Sequence, residues 1–242
     1  MRSTILAPKN SAALLVLCAA ALGQTLPPAD LRGVWQARGT AHIDLEKAGV
    51  ITEPTTGRIP YLPAALNTRA KNFQQRARLD PESKCFQAGV PRATYLPTPF
   101  QIFQNAAAVY IVYQDVHAYR IIYLNNSKHN DGLPFAMGDA RGHWEGNTLV
   151  ADVTSFSDQT WFDRAGNHHS DQLHVVERYS RQNPQTLQYE ARMEDPKVFS
   201  QPWTLRMPLQ LQKAAILEDE CEEINGVRRY QAPLKAKASA KK

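Results

Sequence analysis

The stretch that decides the fold is Ala108–Leu124, AVYIVYQDVHAYRIIYL. Two runs with a period of two, AVYIVYQ and HAYRIIYL, flank Asp115-Val116 and predict a β-hairpin. In the second run His117, Tyr119, Ile121 and Tyr123 share one face, and Ala118, Arg120, Ile122 and Leu124 share the other. Both faces mix apolar and polar groups. An open sheet with one greasy and one wet side does not carry this pattern, whereas a barrel with a partly polar lumen, or a strand covered by a helix, does.

The same texture continues toward the C-terminus. GHW and NTLVADVT flank Glu145-Gly146; LHVVERYSR and TLQYEARME flank QNPQ; WTLRMPLQLQ and ILEDECEE follow as a fourth pair. Eight successive strands predict an antiparallel meander that closes, or nearly closes, into a barrel. In LHVVERYSR, His174, Val176 and Arg178 oppose Leu173, Val175, Glu177 and Tyr179. Upstream, LRGVWQARG is a short apolar segment, residues 63–79 are good helix formers stopped by Pro81, and GVPRATYLPTPFQIF is too rich in proline to be regular. The fold class is therefore mainly β: a closed meander with one helix, about 63–79, packed outside or across an opening.

Working outward, Arg2 and Lys9 precede SAALLVLCAAALG, which has the form of a secretory leader and is too short to span a bilayer. The expected division is a signal peptide at 1–23, one β-barrel domain at 24–233 and a disordered basic tail at 234–242. A lipid-anchor reading of Cys18 fits poorly, since Leu17 stands where lipoprotein processing wants a small residue. The formal charge of +5 lies at the ends: two positive charges in the leader and four lysines in the tail leave a core of −1. A neutral core argues against a nucleic-acid partner, and the mature chain has no membrane span. Cys85 and Cys221, an even pair in an exported chain, predict a disulfide worth roughly 4–5 kcal/mol in the chain-entropy model.

GVPR, HAYRIIYL, MGDARGHWEGNTLVADVTSF, WFDRAGNHHSDQLHVVERYSR and EDPKVFSQPWT together resemble a large family of exported bacterial proteins of unassigned function. The resemblance covers most of Cys85 to Cys221; it implies export and a β-rich domain and supplies no catalytic residues. Gly33-Val34-Trp35 is similar to the Gly-x-Trp that opens the lipocalin barrels, although the long helical insertion departs from that pattern.

Walker A, GxGxxG, GxSxG, HExxH and CxxC motifs are missing, so no cofactor is implied. The densest polar segment is WFDRAGNHHSDQLH, Trp161–His174. An acid–base reading uses His117, His169 or His174 with Asp163 or Asp171, because imidazole titrates near neutrality and a neighbouring carboxylate fixes its tautomer. A metal reading through His169 and His174 with Asp163 or Asp171 matches no familiar ligand spacing, so no metal is assigned. The bland alternative is an exposed loop of Asx turns. Arg120 and Arg178 sit mid-strand among apolar residues and need partners; Glu177, Glu190, Asp152 and Asp139 are available, and either guanidinium also suits a ligand carboxylate. Trp35, Tyr110, Tyr113, Tyr119, Tyr123, Trp144, Trp161 and Trp203 are numerous enough to line a cavity, with Tyr119, Trp144 and Trp161 the candidate ligand contacts, although such residues more often fill a core. Within MGDARGHWEGNTLVAD, Met137–Asp152, the hairpin leaves Asp139 and Arg141 as a rim ion pair and Asp152 as a partner for an arginine.

The expected function is a secreted or periplasmic barrel that binds an apolar or aromatic small molecule. Its mouth would be formed by 125–141 and 157–172. The rival is a cofactor-free lyase, isomerase or hydratase using His–Asp chemistry in the same cavity, and a third reading is an envelope protein–protein interaction domain.

Overall fold

The computed structural model describes residues 29–130, 132–218, 221–224 and 227–230. The expected leader, Cys18 and the basic tail lie outside the described residues.

In chain order the elements are β1 (Gly33–Ala37), β2 (Ile51–Glu53), α1 (Pro63–Gln74), α2 (Arg76–Leu79), β3 (Phe100–Gln104), β4 (Ala108–Tyr113), β5 (Tyr119–Tyr123), β6 (Asp139–Glu145), β7 (Thr148–Thr154), β8 (His174–Asn183), β9 (Thr186–Glu194), β10 (Trp203–Gln212), β11 (Cys221–Ile224) and β12 (Val227–Tyr230). Nine strands close a barrel in the order β1-β3-β4-β5-β6-β7-β8-β9-β10, with β10 returning to β1. The end of β10 pairs with β1 (Trp35↔Leu211), and its beginning carries the short β2 (Leu205↔Ile51). Closure leaves few unpaired edge groups, which is how a β-rich chain of this size avoids sticky margins.

The first three expected hairpins form: β4–β5, β6–β7 and β8–β9 pair antiparallel. Two expectations change. The segment after β10 does not pair back onto it; Cys221–Ile224 pairs with Val227–Tyr230 in a separate ribbon, and the neighbours of β10 are β9, β1 and β2. The meander is also not antiparallel throughout. β5 and β6 run parallel and pair at only Ile122↔Ala140 and Tyr123↔Arg141. A parallel pair needs a crossover of a dozen residues or more, and 124–138 supplies it.

The crossover is tied to the wall outside β6 and β7. The Asn130 amide donates to Asp139 Oδ2 at 2.7 Å, Arg141 donates to the Lys128 carbonyl, and beside the bridge Phe135↔Phe156 the Phe135 amide donates to the Ser155 carbonyl while the Phe135 carbonyl accepts from the Ser157 amide. At its end Gly138 has φ +67°, and a Cβ there would come within 2.5 Å of Val153 and 2.8 Å of Phe156. Only glycine turns the chain into β6 that close to the wall.

Alternation sends one face of each strand inward. Trp35, Phe100, Ile111, Tyr179, Tyr189, Leu205 and Leu209 are fully buried. α1 begins at Pro63, suited to the first turn, and buries little beyond Ala65. It rides outside the barrel on the loop 161–169, which it approaches so closely that a Cβ on Gly166 would lie 2.7–2.8 Å from its backbone. Cys85 and Cys221 form a disulfide, with Cα atoms 5.6 Å apart.

Candidate functional site

Strand parity turns Arg120 inward opposite Ile111, and turns Glu177 and Tyr179 inward from β8. β5 and β8 are not neighbours, so these side chains meet across the lumen. Arg120 Nη1 lies 2.6 Å from Glu177 Oε2, with the two residues 4% and 0% exposed. Arg120 Nη2 donates to Tyr179 Oη at 2.9 Å; Tyr179 in turn donates to Glu177 Oε1 at 3.0 Å, and Tyr189 donates to the same oxygen at 2.8 Å. Tyr179 and Tyr189 are direct cross-strand partners whose rings lie 5.0 Å apart. Tyr113 from β4 and Thr94 from the 3-10 turn Arg92–Tyr95 adjoin the group.

Burial sets the charge states. Desolvation pushes the hydroxyls of Tyr113, Tyr179 and Tyr189 up, so all three remain protonated donors. Burial alone would pull Arg120 down, but Glu177 and the surrounding phenols outweigh it and the guanidinium stays cationic. An ion pair this deep is satisfied only because hydrogen bonds hold both partners.

The wall opens beside this cluster. Along Tyr119–Ile121 the strand is not paired with the approach to β6, and a cleft of about 360 Å³ lies there, lined by Arg120, Tyr119, Tyr123, Asn130 and the run Phe135–Ala140. Tyr119 is 65% exposed, and Tyr123, Phe135 and Leu133 are also exposed nearby in sequence or on the cleft. Grouped exposed aromatics around a concavity mark a contact surface for an apolar molecule. No family model and no curated protein sequence matches this chain.

The other sequence candidates scatter. His117 is exposed at the β4–β5 turn with φ 51°. Asp171 is exposed and pairs with Lys197 at 2.8 Å. His174 faces outward and bonds Asp152 at 2.7 Å; Asp152 also holds His129 at 2.8 Å, so the expected arginine partner is replaced by two histidines. These contacts fasten the crossover to the outer wall, and the hydrogen bond from His174 holds the Asp152 carboxyl below the usual range. His169 is buried; its Nε2 meets Thr160 Oγ1 at 2.7 Å and its Nδ1 meets the Ser170 carbonyl at 2.8 Å. Burial lowers it further, so it is a neutral ring wedged against Phe156 and Phe162.

Asp163 is fully buried and accepts from the amides of Leu45, Ala165 and Asn167 and from Asn167 Nδ2. Desolvation prevails over these donors and raises its carboxyl to about 6. The segment 161–169 is thus an internal brace under α1, not the exposed loop of the bland reading. Trp161 is buried, bridging to His168; Trp144 is half-buried against the core; Arg178 pairs on the surface with Glu145 at 2.8 Å. Asp139 and Arg141 form the expected ion pair, at 2.7 Å. Among the described residues no three His, Cys, Asp or Glu side chains are placed to hold a metal ion.

Of the expected ligand contacts, Arg120 and Tyr119 come together at the seam; Trp144, Trp161 and Arg178 do not. Of the residues that complete the lumen site, Tyr113 is among the aromatics the sequence offers for a cavity, whereas Tyr179, Tyr189 and Thr94 were not singled out from sequence. Parity would have found Tyr179, which follows Glu177 by two positions. Thr94 lies in an irregular segment and carried no signal.

Proposed function

We propose that this chain is an exported β-barrel protein that binds an apolar or aromatic small molecule at the seam between β5 and β6. The observation that carries this reading is the cleft itself: about 360 Å³, aromatic at its rim and backed by the one strand whose inward arginine anchors the lumen. A cleft of that volume lies within the range used for small ligands. The disulfide suits an oxidising compartment, and no described helix is long and apolar enough to cross a membrane. The acid–base alternative gains no support, because His117 and His174 lie outside the lumen and His169 uses both ring nitrogens internally.

The test is native mass spectrometry of protein purified from its own envelope, with Tyr119→Ala/Phe135→Ala alongside. A co-purifying small molecule lost in the double variant supports the reading. The same ligand retained in full by that variant sinks the seam assignment, and a protein that carries nothing and binds no aromatic probe sinks the function.

A further inference from the structure

Register divides the main-chain groups of β5 between its two neighbours. Just outside its two ends, the Tyr113 N–H donates to the Ala118 carbonyl and the Leu124 N–H to the Ala107 carbonyl, each at 2.8 Å. Bonded positions alternate along an antiparallel pair, so Arg120 and Ile122 turn their N–H and C=O to β4. Tyr119, Ile121 and Tyr123 turn theirs the other way, to the β6 side. The first parallel rung, Ile122↔Ala140, takes the groups on either side of Ile122, which are Ile121 C=O and Tyr123 N–H. There the ladder stops. The Tyr119 N–H, the Tyr119 C=O and the Ile121 N–H have no partner among the described residues, and they lie on the edge of the cleft that Tyr119, Arg120 and Ile121 line. An unpaired strand edge is a template for another strand.

The order of these groups along the edge, donor, acceptor, donor, selects the ligand. A plain apolar ring satisfies none of them. An extended peptide running antiparallel to β5 satisfies all three: the residue opposite Tyr119 exchanges N–H and C=O with it, and the carbonyl two positions earlier accepts from Ile121. Because β6 already holds Ile121 C=O, that earlier carbonyl needs no N–H beside it and can be an acyl group. Directly paired residues share a face. The ligand residue opposite Tyr119 therefore points outward, onto a ring that is 65% exposed and beside Phe135 on the rim, which suits an aromatic side chain. The residue before it points inward beside Arg120, 4% exposed in a filled lumen, which suits a small one. We propose that the seam is a single-strand peptide site: an acylated peptide with a small residue followed by an aromatic one adds to the free edge of β5. This rests on the small-molecule reading above and names the chemistry that reading leaves open.

The experiment is a protein-detected NMR titration of the full chain with N-acetyl-L-alanyl-L-phenylalaninamide, its two singly N-methylated forms, and ethylbenzene as the aromatic group without a main chain. Methylating the phenylalanine nitrogen removes the donor to Tyr119 C=O and should weaken binding roughly three- to tenfold, the span of one hydrogen bond. Methylating the alanine nitrogen, which faces away from β5, should leave affinity unchanged. In the complex the amide protons of Tyr119 and Ile121 should move downfield and exchange more slowly, while that of Arg120, already bonded to β4, should not. Equal affinity of the parent and the phenylalanine-methylated form, or a loss at the alanine nitrogen as large or larger, overturns the strand site. Ethylbenzene binding at the seam as tightly as the parent peptide also overturns it but leaves the small-molecule reading standing, and failure of all four probes to bind overturns both.

Discussion

Replacing Arg120 by Met tests whether the lumen cluster is a true ion pair held by its neighbours. Met keeps much of the side chain's length and removes the charge, leaving Glu177, at 0% exposure, without its cation. Breaking a buried pair from one side costs about 3–5 kcal/mol. The lower half of that range is expected, because Tyr179 and Tyr189 go on donating to Glu177 Oε1 at 3.0 and 2.8 Å. Loss of the bond from Arg120 to Tyr179 adds about 1 kcal/mol. Together these give about 4–5 kcal/mol, which for a domain of this size lowers Tm by roughly 8–20 °C. The companion is Arg120→Met/Glu177→Gln, which removes both charges and keeps an acceptor for the tyrosines. Reversible urea unfolding at pH 7, with the disulfide intact, should place the double variant at least about 2 kcal/mol above Arg120→Met, a coupling typical of groups in contact. If Arg120→Met costs under about 1 kcal/mol, or if the double variant is less stable than Arg120→Met, the two groups do not depend on each other as the 2.6 Å contact requires.

Three further outcomes follow from the geometry. Removing the disulfide with Cys85→Ser/Cys221→Ser frees a loop spanning a sequence separation of 136, and should lower unfolding free energy by up to about 5 kcal/mol by urea denaturation; an unchanged midpoint would show that the bridge constrains nothing. Asp163 should titrate near 6 by carboxyl 13C NMR. Because its folded value lies above its ordinary 3.8, its contribution favours folding below about pH 4 and is lost as pH rises through about 6; a midpoint below 4 would mean that the four donors, not desolvation, decide its charge. Thr160→Val leaves His169 Nε2 buried without a partner, and should cost about 1–3 kcal/mol in a thermal melt; no loss would show that the contact is incidental.

The strands and their faces were legible in the residues, because side-chain parity is a local property. HAYRIIYL turned Arg120 to one side and Tyr119 to the other, and the structure keeps that division, with one buried and the other 65% exposed. The hairpins at Asp115, Glu145 and Asn183 were legible for the same reason, each having its turn chemistry between two alternating runs. The pairing of Cys85 with Cys221 followed from counting the two thiols left once the expected leader is set aside. What parity leaves open is which strand lies beside which. Nothing in the local pattern shows that β5 and β6 run parallel, that their pairing stops after two residues, or that a cleft opens where it stops.

Polar density misled for a related reason. The residues Asp163 to His174 carry ionisable groups close together in sequence, yet the fold buries some as a brace under α1, sends others to the outer wall and leaves Asp171 in solvent. The lumen cluster draws its members from β4, β5, β8, β9 and a 3-10 turn, so its parts lie far apart along the chain. Sequence alone determined that this chain would build a closed sheet with polar groups on its inner face, because alternation is written residue by residue. Only the tertiary structure decided that Arg120 meets Glu177 and three tyrosines beside a gap in the wall, because contact across a barrel depends on strand order and register, and closure of the whole sheet sets both.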